Sequence, residues 1–517
     1  MVSFSRRAAL IGVGSVTLLA ACARSGAPAD ILRVGLGGAP DSLDPLRAEY
    51  AVSALLFRQI FLPLVSYGPG NTEKPGVATA WRSENGSTRW VLTLAPDAQW
   101  SDGKPITAAD VVATFARAAD PKTAYPDVSE FFAIQGMEAV AKGEAKPDAI
   151  AVRETAKNEL TFELTAADAR FPSVLREFYP LPTHALAAHG EAWTDPKNFV
   201  GSGPYTVKSR TQLRLELAVN PRFKTATAII PTISVESIDE AATRARMFKA
   251  NDLDLVQDPP LNQLTQLRES FGARLKSFDA PRLIYISFNT RRGPLANPAL
   301  RRALAAIVDR SVIASSVFQD AVTPAFQLQR GEARFGPQGE AANEATKTAL
   351  AALGISPTTP LALELAVARD DRERAALLVA DMWKPYGVIA TIFGTEPTGV
   401  ITKLNAGDFD VGITRLDKGL KDDPLDLLAS FATGGTAQSP GWKSAAFDQK
   451  LSEARGQADP ARRAAMINEA EALLMQDAPI APLWFAPSIW LASERVSGID
   501  PSQQPIFWGQ LGLTKNP

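Results

Sequence analysis

A chain of 517 residues is too long for one ordinary hydrophobic core, and its length predicts roughly three to four domain-sized units. It is 46% hydrophobic and 21% charged, the balance of a globular body in water, with 54 basic against 56 acidic residues for a net charge of −2. That charge balance excludes the basic footprint of a nucleic-acid-binding protein, and there is no fixed-period repeat or low-complexity tract.

The amino terminus, MVSFSRRAALIGVGSVTLLAACARSG, places Arg6 and Arg7 before an uncharged stretch, 8–21. The stretch is too short to span a bilayer and reads as an export signal. Its end, Leu19-Ala20-Ala21-Cys22, resembles the lipobox of bacterial lipoproteins, which implies lipidation at Cys22; an ordinary cleaved signal with an incidental cysteine is the alternative. SRRAAL also resembles a twin-arginine signal without its usual aromatic, so the export route stays open. Cys22 is the only cysteine, which excludes an internal disulfide, a thiolate metal site and an internal cysteine nucleophile. Residues 23–30 are small and polar, a tether. No later stretch is apolar enough to cross a membrane, so the body is expected in water, held by a lipid anchor.

ILRVGLGG (31–38) predicts a buried strand ended by glycines, and 51–62 carries apolar residues at helical spacing. TRWVLTLAP (88–96) alternates as a strand. In WSDGKPITAADVVATFARAADP (100–121), Asp102-Gly103 makes a turn and Thr107 caps a helix, with Asp110 in capping-box position. Val111, Val112, Phe115 and Ala119 form its apolar face. ELTFELTA, LRLELAV, TISVESI and LIYISFNT predict further strands, and RARMFKANDLDLVQD a helix running into a strand. Asn297-Pro298 and Asp459-Pro460 each place a capping residue before a proline suited to the first helical turn. APIAPLWFAPSIWLAS (478–493) reads as an apolar, strand-like ending. Strands alternating with helices throughout predict an α/β protein.

Catalysis finds little to use. The two histidines, His184 and His189, are five positions apart and do not share a helix face, which suits a surface or helix-end role. Neither His-Glu-x-x-His nor Gly-x-Ser-x-Gly occurs. GSGPY (201–205) lacks the Gly-Lys-[Ser/Thr] of a phosphate loop and reads as a tight turn entering a strand. RLDKGLKDDP (415–424) sets Asp417, Asp422 and Asp423 among Arg415, Lys418 and Lys421. Taken alone, that cluster fits an acid pair, a metal site, a ligand clamp or a solvated loop. Paired-carboxylate chemistry stays open, although no spacing singles out a pair. No catalytic residue, metal ligand or cofactor is assigned.

Taken in order, DSLDP (41–45), QIFLPLVSYGPGNTEKPGVATAW (59–81), WSDGKPITAADVVATFARAADP, VGSGPYTV (200–207), NDLDLV (251–256), ISFNTRRGPLANPALRRALAAIVDRSVI (286–313), FDVG (409–412) and DAPIAPLWF (477–485) resemble the extracytoplasmic solute-binding proteins of ABC importers, in the oligopeptide/dipeptide/nickel-binding family 5. The resemblance implies a periplasmic-binding-protein-like α/β fold of type II, in its large three-lobed form. Lobe I would comprise 31–68, 199–282 and 486–517, lobe II the insertion 69–198, and lobe III 283–485, with ligand held between lobes I and III. It implies a monomeric, membrane-anchored lipoprotein of the periplasm or cell envelope. Such a protein captures a peptide or peptide-like small polar solute for permease and ATPase subunits, without catalysis, cofactor or nucleic acid. A non-peptide ligand such as an opine-like conjugate or metal chelate, a receptor or chaperone uncoupled from import, an enzyme, and a sensory regulator are the alternatives; the export signal speaks against the last.

By that resemblance Ala39, Pro40, Phe288, Asn289, Trp442 and Trp484 are candidates for the cleft wall, with a core role open for the last four. Peptide-binding members carry an aspartate three residues before the acidic residue of an Asp/Glu-Pro pair, and it holds the peptide's amino group. Counting back from Asp423-Pro424, that position is Leu420. Asp417 becomes the substitute partner for an amine, and Arg415 the candidate for an anionic group.

Overall fold

The strand predicted from ILRVGLGG runs from Ile31 to Leu36 and forms the centre of a seven-stranded sheet in the computed structural model of the chain. The structure describes residues 30–68, 72–223, 230–331, 340–419, 421, 423–437, 440–502 and 504–514. The expected signal, Cys22 and all of the tether but its last residue lie outside them. Thr232–Ser237 and Leu255–Gln257 flank the central strand in parallel. Parallel pairing on both sides places Leu32, Val34 and Leu36 in full burial and accounts for the apolar run. Arg214–Val219 and Tyr205–Arg210 extend the sheet on one side, Ser488–Ala492 and Leu275–Phe278 on the other. The NDLDLV motif contributes Asp254, buried between Arg33 at 2.8 Å and Arg495 at 3.0 Å. Two guanidiniums offset the cost of burying that carboxylate and tie the first strand to the C-terminal segment.

A six-stranded sheet follows, ordered Thr323–Pro324, Ile480–Phe485, Arg282–Phe288, Val411–Asp417, Leu361–Ala368 and Val388–Thr395. Its helices start as predicted. Asn297 accepts from the Ala299 N–H at 2.9 Å ahead of Pro298–Ile307, and Asp459 accepts from the Arg462 N–H at 2.8 Å ahead of Pro460–Asp477.

The chain passes from the seven- to the six-stranded sheet between Phe278 and Arg282, and returns between Phe485 and Ser488. The apolar ending that reads as one strand is therefore two strands in two sheets. Pro487 has no N–H for a ladder and breaks the run. The Ala486 N–H donates to the Arg282 carbonyl at 2.9 Å, so the two crossings lie side by side.

A four-stranded antiparallel sheet, ordered Ala78–Glu84, Arg89–Leu94, Glu159–Glu163 and Val152–Ala156, forms the third body. Helix Ala108–Ala119 backs it and carries the predicted capping box of Thr107 and Asp110. Phe115 on that helix stacks on Phe178 at 3.9 Å and meets Phe131 and Phe162 edge-on. This core is continuous with the one under the seven-stranded sheet, one buried cluster running from Leu32 through Phe61 to Phe115. The six-stranded body keeps separate cores, with Leu264 and Ile489 reaching in from the first body. Among the described residues no helix is long and apolar enough to cross a membrane.

GSGPY enters strand Tyr205–Arg210 by lying against the end of helix Ala51–Ile60. The Ser202 and Gly203 N–H groups donate to the Ile60 carbonyl at 3.1 and 3.0 Å, satisfying a helix end. A Cβ on Gly203 would stand 2.6 Å from the Phe61 nitrogen, so only glycine fits. Gly203→Ala is accordingly expected to destabilise the fold by about 2–4 kcal/mol, read as a lowered urea midpoint.

Candidate functional site

Beside the crossings, the three bodies enclose a cavity of about 290 Å³. The segment 45–58 supplies one wall, Tyr125, Asp127, Glu130, Glu177 and Tyr179 of the four-stranded body a second, and Asp417, Lys418, Gly419 and Lys421 a third, with Ala280 and Arg282 of the first crossing at the base. A second cavity of about 780 Å³ adjoins it, sharing Ala280, Gly419, Gln504 and Ile506, and is lined there by Phe278, Leu328 and Phe485.

Most charges in the smaller cavity are already matched. Arg58 pairs with Glu177. Arg282 bonds Asp417 at 2.8 Å and Asp258 at 3.4 Å. Glu130 receives Lys421 and, at 3.6 Å, Lys418. Burial opposes ionisation of Glu130, but the two ammonium groups outweigh it and hold its pKa below the ordinary value. Asp417 is likewise held low, with Arg282 and Arg415 outweighing burial. Asp127 goes the other way. Burial first, and the neighbouring Glu130 carboxylate second, push it up to about 6, although its side chain keeps access to solvent. Asp426, behind the same loop, is also raised to about 6, by burial and then by Asp423.

RLDKGLKDDP thus continues the strand Val411–Asp417 into a loop clamped from two sides. Asp423 accepts from the Leu425 N–H at 2.9 Å and starts helix Pro424–Ala429, while Arg170 of the four-stranded body and Arg463 bind its other oxygen at 2.6 and 2.8 Å. Asp422 and Leu420 lie outside the described residues.

The residues expected at the cleft divide. Asp417 lines the cavity, bonded to Arg282 and to the Gly419 N–H at 3.0 Å. Arg415 lies two positions earlier on the same face of the strand, exposed, outside the lining of both cavities and with no side-chain partner among the described residues. Phe288 is fully buried in the six-stranded core, and Trp484 packs there against Phe318 at 4.8 Å. Asn289 spends its amide on the Gly407 and Phe409 carbonyls at 3.0 and 2.9 Å. Trp442 is buried against Phe447 and donates to Asp477 at 2.9 Å. These four side chains hold lobe interior rather than a cleft wall: three are apolar groups in apolar cores, and the fourth satisfies carbonyls that burial would orphan. Ala39 is exposed, while Pro40 is buried and its carbonyl accepts from Arg210 at 3.0 Å. His184, in helix Thr183–His189, bonds Asp102 at 2.9 Å outside the cavity.

Sequence reasoning missed Arg58, Asp127, Glu130, Glu177 and Arg282. They come from four separate stretches with no common spacing, so no pattern announces them. Lys418 and Lys421 were visible in the charged cluster, but their partner Glu130, almost 300 positions away, was not.

The chain from 72 to 439 matches the family described as bacterial extracellular solute-binding proteins, family 5. The periplasmic murein peptide-binding protein MppA of Escherichia coli is 31% identical over 86% of this chain and 86% of its own. The probable deoxycholate-binding periplasmic protein YgiS of the same organism is 27% identical over 91% of each. The solved structure of the Escherichia coli murein tripeptide binding protein MppA superposes with a TM-score of 0.82 at 27% identity, covering 94% of this chain and 99% of that one. The fold is the expected one, the large type II periplasmic-binding-protein-like form.

Glu130→Gln leaves two enclosed lysines without their counter-ion and is expected to destabilise the chain by about 2–4 kcal/mol in urea unfolding, with Lys421→Met restoring much of the loss. Asp127 and Asp426 bind protons in the folded chain near pH 6, where unfolded carboxyls, titrating near about 4, remain ionised. The folded state therefore gains protons as the pH falls from about 7.5 to about 5, and thermal stability rises over that window. Below about pH 4 the trend reverses, as Glu130 is protonated through its lowered pKa and its lysine pairs are lost. Asp426→Asn should flatten the rise in thermal-melt series.

Proposed function

This chain belongs to the bacterial extracellular solute-binding proteins of family 5, and from that premise we propose that it captures a peptide or peptide-like small polar solute between its lobes and delivers it to the permease and ATPase subunits of an ABC importer. The observation that carries this reading is the charge-lined cavity beside the two crossings, walled by all three bodies. Lobe I corresponds to 31–68, 199–282 and 486–517, lobe II to 69–198 and lobe III to 283–485. Few dihedrals need to change at the two crossings for lobe III to swing over the other lobes, which share one core and move together. Closure buries the ligand against groups already held in place by their ion pairs.

The murein peptide-binding relative supports a peptide-like ligand. The relative named as a probable deoxycholate-binding protein points to a different chemistry, but a sterol in the small cavity would strand Arg58, Glu177, Lys418 and Lys421 against apolar surface. With leucine at 420, a modified peptide or an opine-like conjugate suits the cleft better than an ordinary peptide held at that position. Arg415, exposed and unpaired among the described residues, takes the carboxylate of the ligand through its forked donors. Asp417 fixes Arg282 at the cleft floor. Cys22, lipidated, anchors the body in the cell envelope, and the chain works by binding, without turnover.

Native mass spectrometry of the protein purified from its own host is expected to reveal a co-purifying peptide-like solute with both charge signs; a purely apolar ligand would overturn the reading. In calorimetry with that solute, Arg415→Ala should weaken binding by about tenfold or more, and amidating the carboxylate of the solute should abolish the difference between variant and wild type.

A further inference from the structure

The charge inventory of the small cavity leaves two wall carboxylates, Asp127 and Glu49, without a partner among the described residues. Glu130 is taken by Lys418 and Lys421, Glu177 by Arg58, and Asp417 by Arg282. Asp127 lines the same cavity and has no ion pair or side-chain hydrogen bond among the described residues. Its position makes this unusual. Asp127 precedes the short helical turn Val128–Phe131 as its cap residue, where an aspartate ordinarily accepts from the first free N–H groups, yet its side chain makes no capping bond. The carboxylate forgoes the nearest donors and stays open to the cavity. Glu49 is exposed as Asp127 is, but it lies on the segment before helix Ala51–Ile60 rather than beside Glu130 and the two lysines.

Resting on the reading of this cavity as the ligand cleft, we propose that Asp127 is the specificity-determining carboxylate that holds the ammonium group of the ligand. The anionic partner for the amine is then supplied by the inserted four-stranded body. The loop after Val411–Asp417 supplies Lys418 and Lys421 instead, whose charges Glu130 already neutralises. An arriving ammonium gives Asp127 the counter-ion that the chain withholds, and the attraction strengthens as lobe closure drives water from the pair. The cleft thus selects ligands with a free amine and discriminates against acylated ones, because an amide nitrogen in that place leaves the carboxylate unpaired. The groups facing Asp127 are Tyr125 and Glu130 on its own segment, Lys418 and Lys421 on the loop, Glu177 and Tyr179 across the cavity, and Arg58 on helix Ala51–Ile60. Since burial and Glu130 raise Asp127 to about 6, its ionised form, and with it amine binding, is lost as the pH falls through that value.

The test uses the full mature chain with a pool of tripeptides bearing free amino termini and the same pool N-acetylated, with bound peptide read by native mass spectrometry and calorimetry. Wild type is expected to retain the free pool at least about tenfold better than the acetylated one. Asp127→Asn should bring the two within about twofold, and Asp127→Glu should restore the preference. Wild-type affinity for the free pool should fall between about pH 7.5 and about pH 5, while that of Asp127→Asn stays flat. Removing an unpaired charge should leave the thermal melt at neutral pH unharmed, so a loss of binding reports on the site. If wild type prefers free amines and Asp127→Asn does so equally, the assignment of Asp127 is overturned while the peptide reading stands. If wild type takes neither pool, the peptide reading fails and the assignment falls with it.

Discussion

Two connectors of three and two residues, 279–281 and 486–487, carry the chain between its large sheets, and the rest of the molecule is arranged around them. Because they lie side by side, joined by the bond from Ala486 to Arg282, the six-stranded body hangs from one narrow seam. Arg282 begins the strand after the first connector and grips Asp258 from one body and Asp417 from the other. The cavity opens where that seam ends. Its base is thus fixed by covalent geometry and one arginine, while its walls come from all three bodies.

The distribution of apolar contact reinforces the asymmetry. The inserted four-stranded body shares its aromatic core with the seven-stranded one, from Leu32 to Phe115, so separating them would expose a continuous buried surface. The six-stranded body meets the inserted one through polar contacts: Lys418 and Lys421 on Glu130, Arg170 on Asp423, and the Ala169 N–H on the Arg455 carbonyl at 3.0 Å. Contacts of this kind gain their electrostatic strength as water leaves and lose it as water returns. A cleft lined by pre-paired charges also offers a small polar ligand an environment that needs little reorganisation, and leaves selectivity to the few groups without partners.

Local chemistry was legible wherever it is local. Thr107 with Asp110, Asn297-Pro298 and Asp459-Pro460 mark helix starts because a cap needs only neighbouring residues. The glycines of GSGPY announced a tight turn, although their partner, the Ile60 carbonyl, could not be read from them. The aromatic candidates misled. Phe288, Trp442 and Trp484 are apolar, and apolarity does not distinguish a core from a cleft wall. Asn289 misled differently, since its amide serves carbonyls more than a hundred positions away.

By itself the sequence determined the class of chain, the order of its strands and helices, their caps and the family, because those rest on composition, periodicity and motifs carried in linear order. Tertiary structure alone decided which charges are spent and which are free. Asp417 and Asp127 look equally available as letters, yet one lies against Arg282 and the other faces the cavity without a counter-ion. Whether a carboxylate is neutralised depends on what stands within a few ångströms of it, and in this molecule those neighbours come from three separate bodies that only the folded chain brings together.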